Sequence, residues 1–421
     1  MKRLGKLIFV AGLIVLIGMP VFAGGGRQAS GRTTLTMSRW AGPHADDQKI
    51  VLRDYMAVNP NMNIVMDDID YLAMKQRQIT SIQRPVGRGE YDLLFVFGIW
   101  MDEYIENGYL LPLDDFIRAS NFDMSIFNQD FIEKNTRNGR LWAFPARPEV
   151  QILTYNTEWL ARDGRSIPRT IEEVIDLARF YKERGTGIAL PAMQNDPSIE
   201  IFATFMFSEG GDFVNPNTGR LMLDTDAAKY AVTIWHELSK YAITGSSTWH
   251  TDGASQATRE GRAPFGFTAA GLAMLNHDPD HSAIVNNVAY TPVPTRNPLI
   301  SSASYWNWGI ARNTPNPQAA FDFLTWLVSP ETEKKQSLMN GQTTAINATL
   351  GDPDIAAKFP FFGAVVESMR NIRTLPTSVR GAEMNVRLQA ALNEIATNPN
   401  GVDPLAILAR VQAEFANVDL R

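Results

Sequence analysis

The sequence predicts an α/β protein, its sheet mainly parallel and flanked by helices. Three observations predict it. Residues 92–97 (DLLFVF) form a continuous apolar run, as a strand buried on both faces of a parallel sheet requires. Short apolar segments alternate with longer amphipathic ones through the first hundred residues, the pattern of a sheet with helical crossovers. The same alternation starts again after Val150.

The elements follow in order. Residues 34–40 put Leu35 and Met37 on one side and read as a strand. Residues 45–58 read as a helix with Ile50, Val51, Tyr55 and Val58 as its apolar positions, closed by Asn59-Pro60. Residues 63–66 form a second strand, 74–83 a helix, and 92–97 the buried strand. Further on, 150–155 and 187–190 read as strands. Residues 170–173 (TIEE) form a capping box: Thr170 accepts from the amide of Glu173, whose carboxylate reaches back. Asp224 or Thr225 opens a helix that runs to Lys240. Asn316-Pro317 and Asp403-Pro404 open two late helices. Ala320, Phe323, Leu324 and Leu327 are expected to face inward on the first, and Leu405, Leu408 and Phe415 on the second.

The N-terminus bounds where the chain works. Lys2, Arg3 and Lys6 precede an apolar stretch over residues 7–19, and Val21-Phe22-Ala23 then offers a cleavage triplet. Residues 1–23 therefore read as a signal peptide, too short in its apolar part for a membrane span, and residues 24–33 as a flexible leader. The signal holds three of the 39 basic residues and none of the 45 acidic ones, so the remaining 398 residues carry a net charge of −9. Such a balance argues against a nucleic-acid partner, which needs a basic footprint. There is no cysteine, which excludes disulfides, thiolate metal sites, cysteine catalysis and a lipid-modified cysteine after the signal. No phosphate-cradling glycine loop, nucleophile elbow or His-Glu-x-x-His is present, and no cofactor is expected. His277 and His281 flank Asp278-Pro279-Asp280, and the proline denies them the single helix face of a zinc motif.

Aromatic residues gather where strands end. Trp40 ends the first strand, Trp100 follows the buried one, and Trp306 and Trp308 flank Asn307. Ligands of open α/β sheets bind outside the carboxyl ends of the strands. Tryptophan there suits sugars, whose C–H faces pack on the ring while hydroxyls bond carboxylates and amides.

Six segments stand in a telling order. The first three are Leu35-Thr36-Met37-Ser38-Arg39-Trp40, Tyr91-Asp92-Leu93, and Asn107-Gly108-Tyr109-Leu110-Leu111-Pro112-Leu113-Asp114. Gly139-Arg140-Leu141-Trp142-Ala143-Phe144-Pro145, Gly261-Arg262-Ala263 and Ala319-Ala320-Phe321-Asp322-Phe323-Leu324 follow. Together they resemble the family 1 extracellular solute-binding proteins of ATP-binding-cassette importers. Tyr91 stands where the family has proline, and Pro264-Phe265 where it has Ala-Met.

The resemblance implies a two-lobe periplasmic-binding-protein fold, type II-like, with the ligand between lobes that close about a hinge. Residues 34–146 with 262–312 would form lobe 1, and 147–261 with 313–421 lobe 2. Carried over by position, Trp40, His44 and the loop from Gly98 to Trp100 would line the cleft from lobe 1. Glu149 would accept sugar hydroxyls at the hinge, and Asp196 would face the cleft from lobe 2. Trp306 would stack on the ligand beside Asn307, and Arg380 would approach from the C-terminal segment. The implied protein is a periplasmic monomer that is not an enzyme. It binds a small-molecule solute, a sugar in the first instance, and its partner is a membrane permease. Two alternatives stay open. One is a non-sugar solute such as a glycerol phosphate, polyamine or peptide. The other is a secreted carbohydrate-active enzyme using Glu149 and Asp196.

Overall fold

Strand β1 (Thr33–Trp40), helix α1 (Ala45–Val58), strand β2 (Met62–Ile69), helix α2 (Tyr71–Ile82) and strand β3 (Leu93–Phe97) open a computed structural model that describes residues 31–41 and 44–420. The expected signal peptide and residues 24–30 of the expected leader lie outside the described residues. Strand β1 pairs in parallel with β2 and β3, so both helices act as crossovers. Every residue of β3 is buried. Helix α2 begins at Tyr71 because Asp70 caps it, accepting the Leu72 amide at 2.9 Å. In α1, Val51 and Tyr55 are buried, whereas Ile50 and Val58 point outward.

The centre of the molecule is β4 (Phe144–Asn156), buried along its whole length. Later strands are β5 (Phe265–Ala269), β6 (Val288–Pro292) and β7 (Ser301–Ile310). The first half of β4 pairs antiparallel with β7, and its second half with β5 and β6. One eight-stranded mixed sheet results, in the order β2-β1-β3-β7-β4-β5. Strand β6 lies alongside β4, and Ile372–Arg373 alongside β7. The parallel pairing expected from the sequence is concentrated at β2-β1-β3. The register of β4 breaks between Pro145 and Arg147. Proline has no amide to give the ladder, and such a break re-aims the next side chain.

Helix α3 (Ile171–Lys182) starts at the expected box, with the Glu173 amide 3.2 Å from Thr170 Oγ1. The Glu173 carboxylate accepts the amide of Arg169 instead of Thr170. Every residue of α4 (Asp196–Ser208) after Asp196 is buried. Thr225 caps α5 (Asp226–Lys240), and α6 (Thr251–Arg259) precedes β5. Helices α7 (Pro317–Leu327), α8 (Pro330–Asn340), α9 (Val379–Thr397) and α10 (Pro404–Glu414) complete the chain. Leu405 is exposed because it lies in the first turn of α10, outside the stripe that buries Leu408. Residues 187–190 form no strand; Ile188 and Ala189 make isolated bridges to Ala242 and Gly266.

Two large apolar cores flank β4, and they divide the chain differently from the expected segments. Phe265 and Phe267 of β5, expected in lobe 1, pack with Tyr155 and Phe202 in the second core. Phe321, Phe323 and Leu324 of α7, expected in lobe 2, pack with Leu93 and Phe95 in the first. The reason is the register of β7. Its last residue, Ile310, pairs with Leu93, so the chain leaves β7 inside the first lobe and α7 packs there. A third cluster joins Val150, Ile152 and Ala303 to Phe361, Phe362 and Val365. It sits where β4 and β7 pass from one core to the other.

Candidate functional site

Arg147, Glu149 and Gln151 alternate along β4 and so share one face of it. Arg147 Nε lies 2.8 Å from Glu149 Oε1, and both side chains are buried. The Gly271 amide donates to Glu149 Oε2 at 2.9 Å. Only glycine allows this approach: a Cβ at position 271 would stand 2.5 Å from Glu149 Oε1. Gln151 Nε2 donates to Glu200 Oε2 of α4 at 3.1 Å.

Aromatic rings from three strands, the turn after β3 and one helix start meet this face. Trp40 and Trp306 lie parallel with centroids 5.9 Å apart, and Phe95 lies parallel to Trp306 at 4.8 Å. Tyr71, Phe97 and Trp100 approach Trp306 at angles. Arginines end the series on either side. The Arg147 guanidinium sits 5.3 Å from the Trp40 ring, and that of Arg39 sits 4.2 Å from Phe95. Such contacts between cation and ring strengthen when water is excluded.

Helix α4 faces the rings from the other lobe. Tyr71 Oη donates to Asp196 Oδ2 at 2.9 Å, and Gln389 Nε2 of α9 donates to Asp196 Oδ1 at 2.9 Å. Between these groups lies a cavity of about 520 Å³. Trp40, Tyr71, Phe97 and Trp306 line it from the first lobe. Arg147, Glu149, Gln151 and Ser304 line it from the crossing strands, and Asp196, Glu200, Thr251 and Gly271 from the second lobe. It has the size and composition of a small-molecule site: mostly apolar wall with a few convergent polar groups. Burial pushes the Glu200 carboxyl up to about 7, with Asp196 and Glu149 adding to the shift and Gln151 opposing it. Burial also raises Asp196, against the bonds it accepts from Tyr71 and Gln389.

Four of the nine residues expected at the site line this cavity: Trp40, Glu149, Asp196 and Trp306. The other five do not. His44 is buried behind the wall, where Nε2 donates to the Gly271 carbonyl at 2.8 Å. Burial lowers its pKa, and Arg147 and Arg39 lower it further. Gly98 is glycine because the Tyr305 ring lies on it, 2.7 Å from where a Cβ would stand. Trp100 packs against Tyr71 and Phe97. Asn307 is fully buried, accepting from Asn135 and donating to the Val96 carbonyl. Arg380 is exposed in the first turn of α9 and pairs with Glu383 at 2.7 Å. It faces solvent because α9 packs on the second core through Met384 and Leu388.

Tyr71, Arg147, Gln151 and Glu200 were not among the expected residues. Two signals point to the last three: polar side chains at alternate positions of an apolar strand, and an acid four residues after Asp196 in an otherwise apolar helix. His277 and His281 bond Tyr290 and Asp278. Among the described residues no group of three or more potential ligands could hold a metal ion, and no helix is long and apolar enough to cross a membrane.

Known proteins share this architecture. The family model described as bacterial extracellular solute-binding protein matches residues 41–334. A maltotriose-binding protein from Pyrococcus abyssi is 23% identical over 378 residues, covering 86% of this chain and 77% of the relative. A maltose-bound MalE3 from T. maritima superimposes with a TM-score of 0.80 at 19% identity, over 91% of this chain and 99% of that one. A solute-binding protein from Thermotoga lettingae, bound with α-D-tagatose, does so with a TM-score of 0.80 at 17% identity, over 92% and 100%.

Proposed function

The chain belongs to the bacterial extracellular solute-binding proteins, and we propose that it captures a sugar or oligosaccharide between its lobes and delivers it to an ATP-binding-cassette permease. The observation that carries this reading is the wall of the cavity. Trp40, Tyr71 and Trp306 offer aromatic surface, and Glu149, Gln151, Asp196 and Ser304 offer polar groups to hydroxyls. Trp306 is 4% exposed, so most of its surface is spent on neighbouring rings, and Trp40 carries more of the accessible face.

In this reading the protein binds and releases its solute unchanged. Glu149 is committed to Arg147 and the Gly271 amide, a poor position for a proton-donating acid. Residues 1–23 direct the chain out of the cytoplasm, and a monomer presents its closed form to the permease.

A thermal-shift screen against mono- and oligosaccharides, polyols, sugar phosphates and polyamines tests the reading. A ligand at 100 times its dissociation constant adds about 2.7 kcal/mol of stability. The expected result is a shift with a sugar that Trp40→Ala removes, and no turnover of that sugar. A shift confined to sugar phosphates or other anions would overturn it.

A further inference from the structure

Asp196 and Glu200 stand four residues apart on α4, one helical turn, and both line the cavity. Acids at this spacing repel one another along a helix face. Among the described residues no lysine, arginine or histidine nitrogen comes within 4.0 Å of either carboxylate, and the charge of the more distant His250 acts on Asp196 alone. Their hydrogen-bond partners in the structure are neutral, Tyr71 and Gln389 for Asp196 and Gln151 for Glu200. The cations among the described lining residues are Arg147, 2.8 Å from Glu149, and His250, exposed and 3.5 Å from Asp252.

The same region is short of donors. Gln151 is 5% exposed, and its Oε1 has no hydrogen-bond partner because its amide nitrogen is turned to Glu200. Buried acceptors are held in place by donors, and buried carboxylates by cations. An ammonium group brings three donors, no acceptor and one positive charge. The aromatic wall of Trp40, Tyr71 and Trp306 adds ring faces that attract a cation.

Resting on the sugar-binding reading, we propose that the solute is an amino sugar whose protonated amine sits between Asp196 and Glu200 and also donates to Gln151 Oε1. Its ring packs on the tryptophan wall. A neutral sugar leaves the acid pair without a counter-charge, and N-acetylation removes the charge and two of the three donors.

The test is calorimetric titration of the purified protein with glucosamine, galactosamine and the β-1,4-linked glucosamine dimer. Each is compared with its N-acetylated form and with the corresponding neutral sugar. The expected result is that a free amine binds at least about tenfold tighter than its acetylated counterpart, the size of one charge-assisted contact. Glu200→Gln keeps the shape and the bond to Gln151 and should abolish that preference; Asp196→Asn should reduce it. Equal or tighter binding of the acetylated or neutral sugar overturns the proposal, as does a preference that survives both substitutions. Binding of spermidine with no binding of any sugar overturns this proposal and the sugar reading together. A neutral sugar bound as tightly as its amine or more tightly, in a Trp40-dependent way, overturns the amine alone.

Discussion

At the scale of single residues, the site depends on carboxylates placed where water is scarce. Glu200 shows it most directly. Its carboxyl titrates near 4.5 when free and at about 7 when folded, because burial disfavours the charge and Asp196 of its own helix repels it, against the bonds from Gln151 of β4 and Ser304 of β7. The folded state therefore holds the proton more tightly than the unfolded chain. The stability this provides is complete below about pH 4.5 and is lost as the pH rises through about 7, amounting to about 3 kcal/mol. Glu200→Gln removes this dependence. The variant should gain on the wild type between pH 5 and pH 8 in denaturant melts of the ligand-free protein. Parallel pH curves for the two proteins would refute the assignment. Gly271 makes a second prediction. A methyl group there meets Glu149 Oε1 at 2.5 Å, with strand β4 behind it. Gly271→Ala should weaken solute binding at least about tenfold through displaced Glu149, the size of one misplaced charge-assisted bond. Titration of the variant checks it, and unchanged affinity would show that Glu149 does not touch the solute.

At the scale of elements, β4 does most to build the site. It runs through both cores and carries Arg147, Glu149 and Gln151 on one face between them. Breaking a buried ion pair leaves an uncompensated charge, so Arg147→Ala should destabilise by about 3–5 kcal/mol. The double variant Arg147→Ala with Glu149→Ala should recover part of that loss in equilibrium unfolding. Much of this layer was legible in the sequence. Of the run DLLFVF, residues 93–97 form a strand buried at every position, and residues 45–58 form a helix with those bounds. Thr225 and Asp403 cap helices where expected. Two causes keep the other five expected residues off the cavity wall. Gly98 and Trp100 follow β3 and Asn307 lies within β7, where position alone does not tell a ring or amide turned to the core from one turned to the cleft. His44, Gly98, Trp100 and Arg380 also rest on resemblance, which carries position along the chain but not the partners that hold a side chain. Glu200 was hidden because α4 is buried almost all round and shows no polar face. The assignment of α7 to the first core depends on the register of β7 against β3, a long-range pairing that local pattern does not record.

At the scale of the whole molecule, the lobes are drawn together by hydrogen bonds between them, one across the cavity and one outside it. Tyr71 of the first lobe donates to Asp196 of the second, and Thr377 donates to Asp102 in the opposite sense along the chain. Tyr71→Phe deletes one hydroxyl and leaves the ring against Trp100 and Trp306. It should shift the ligand-free protein toward an open form, since a contact made only when closed stabilises only that form. Small-angle scattering should then report a larger radius of gyration for the variant than for the wild type, and the same radius for both when solute is bound. The central claim, that solute is held against the aromatic wall between the lobes, is tested most directly by titrating the sugar found in the screen into the wild type, Trp40→Ala and Arg380→Ala. Removing a packed tryptophan surface is worth about 1.5–3 kcal/mol, roughly ten- to a hundredfold in affinity. The account predicts that loss for Trp40→Ala and none for Arg380→Ala, whose side chain pairs with Glu383 away from the cavity. Full affinity in Trp40→Ala, or a loss confined to Arg380→Ala, would contradict it.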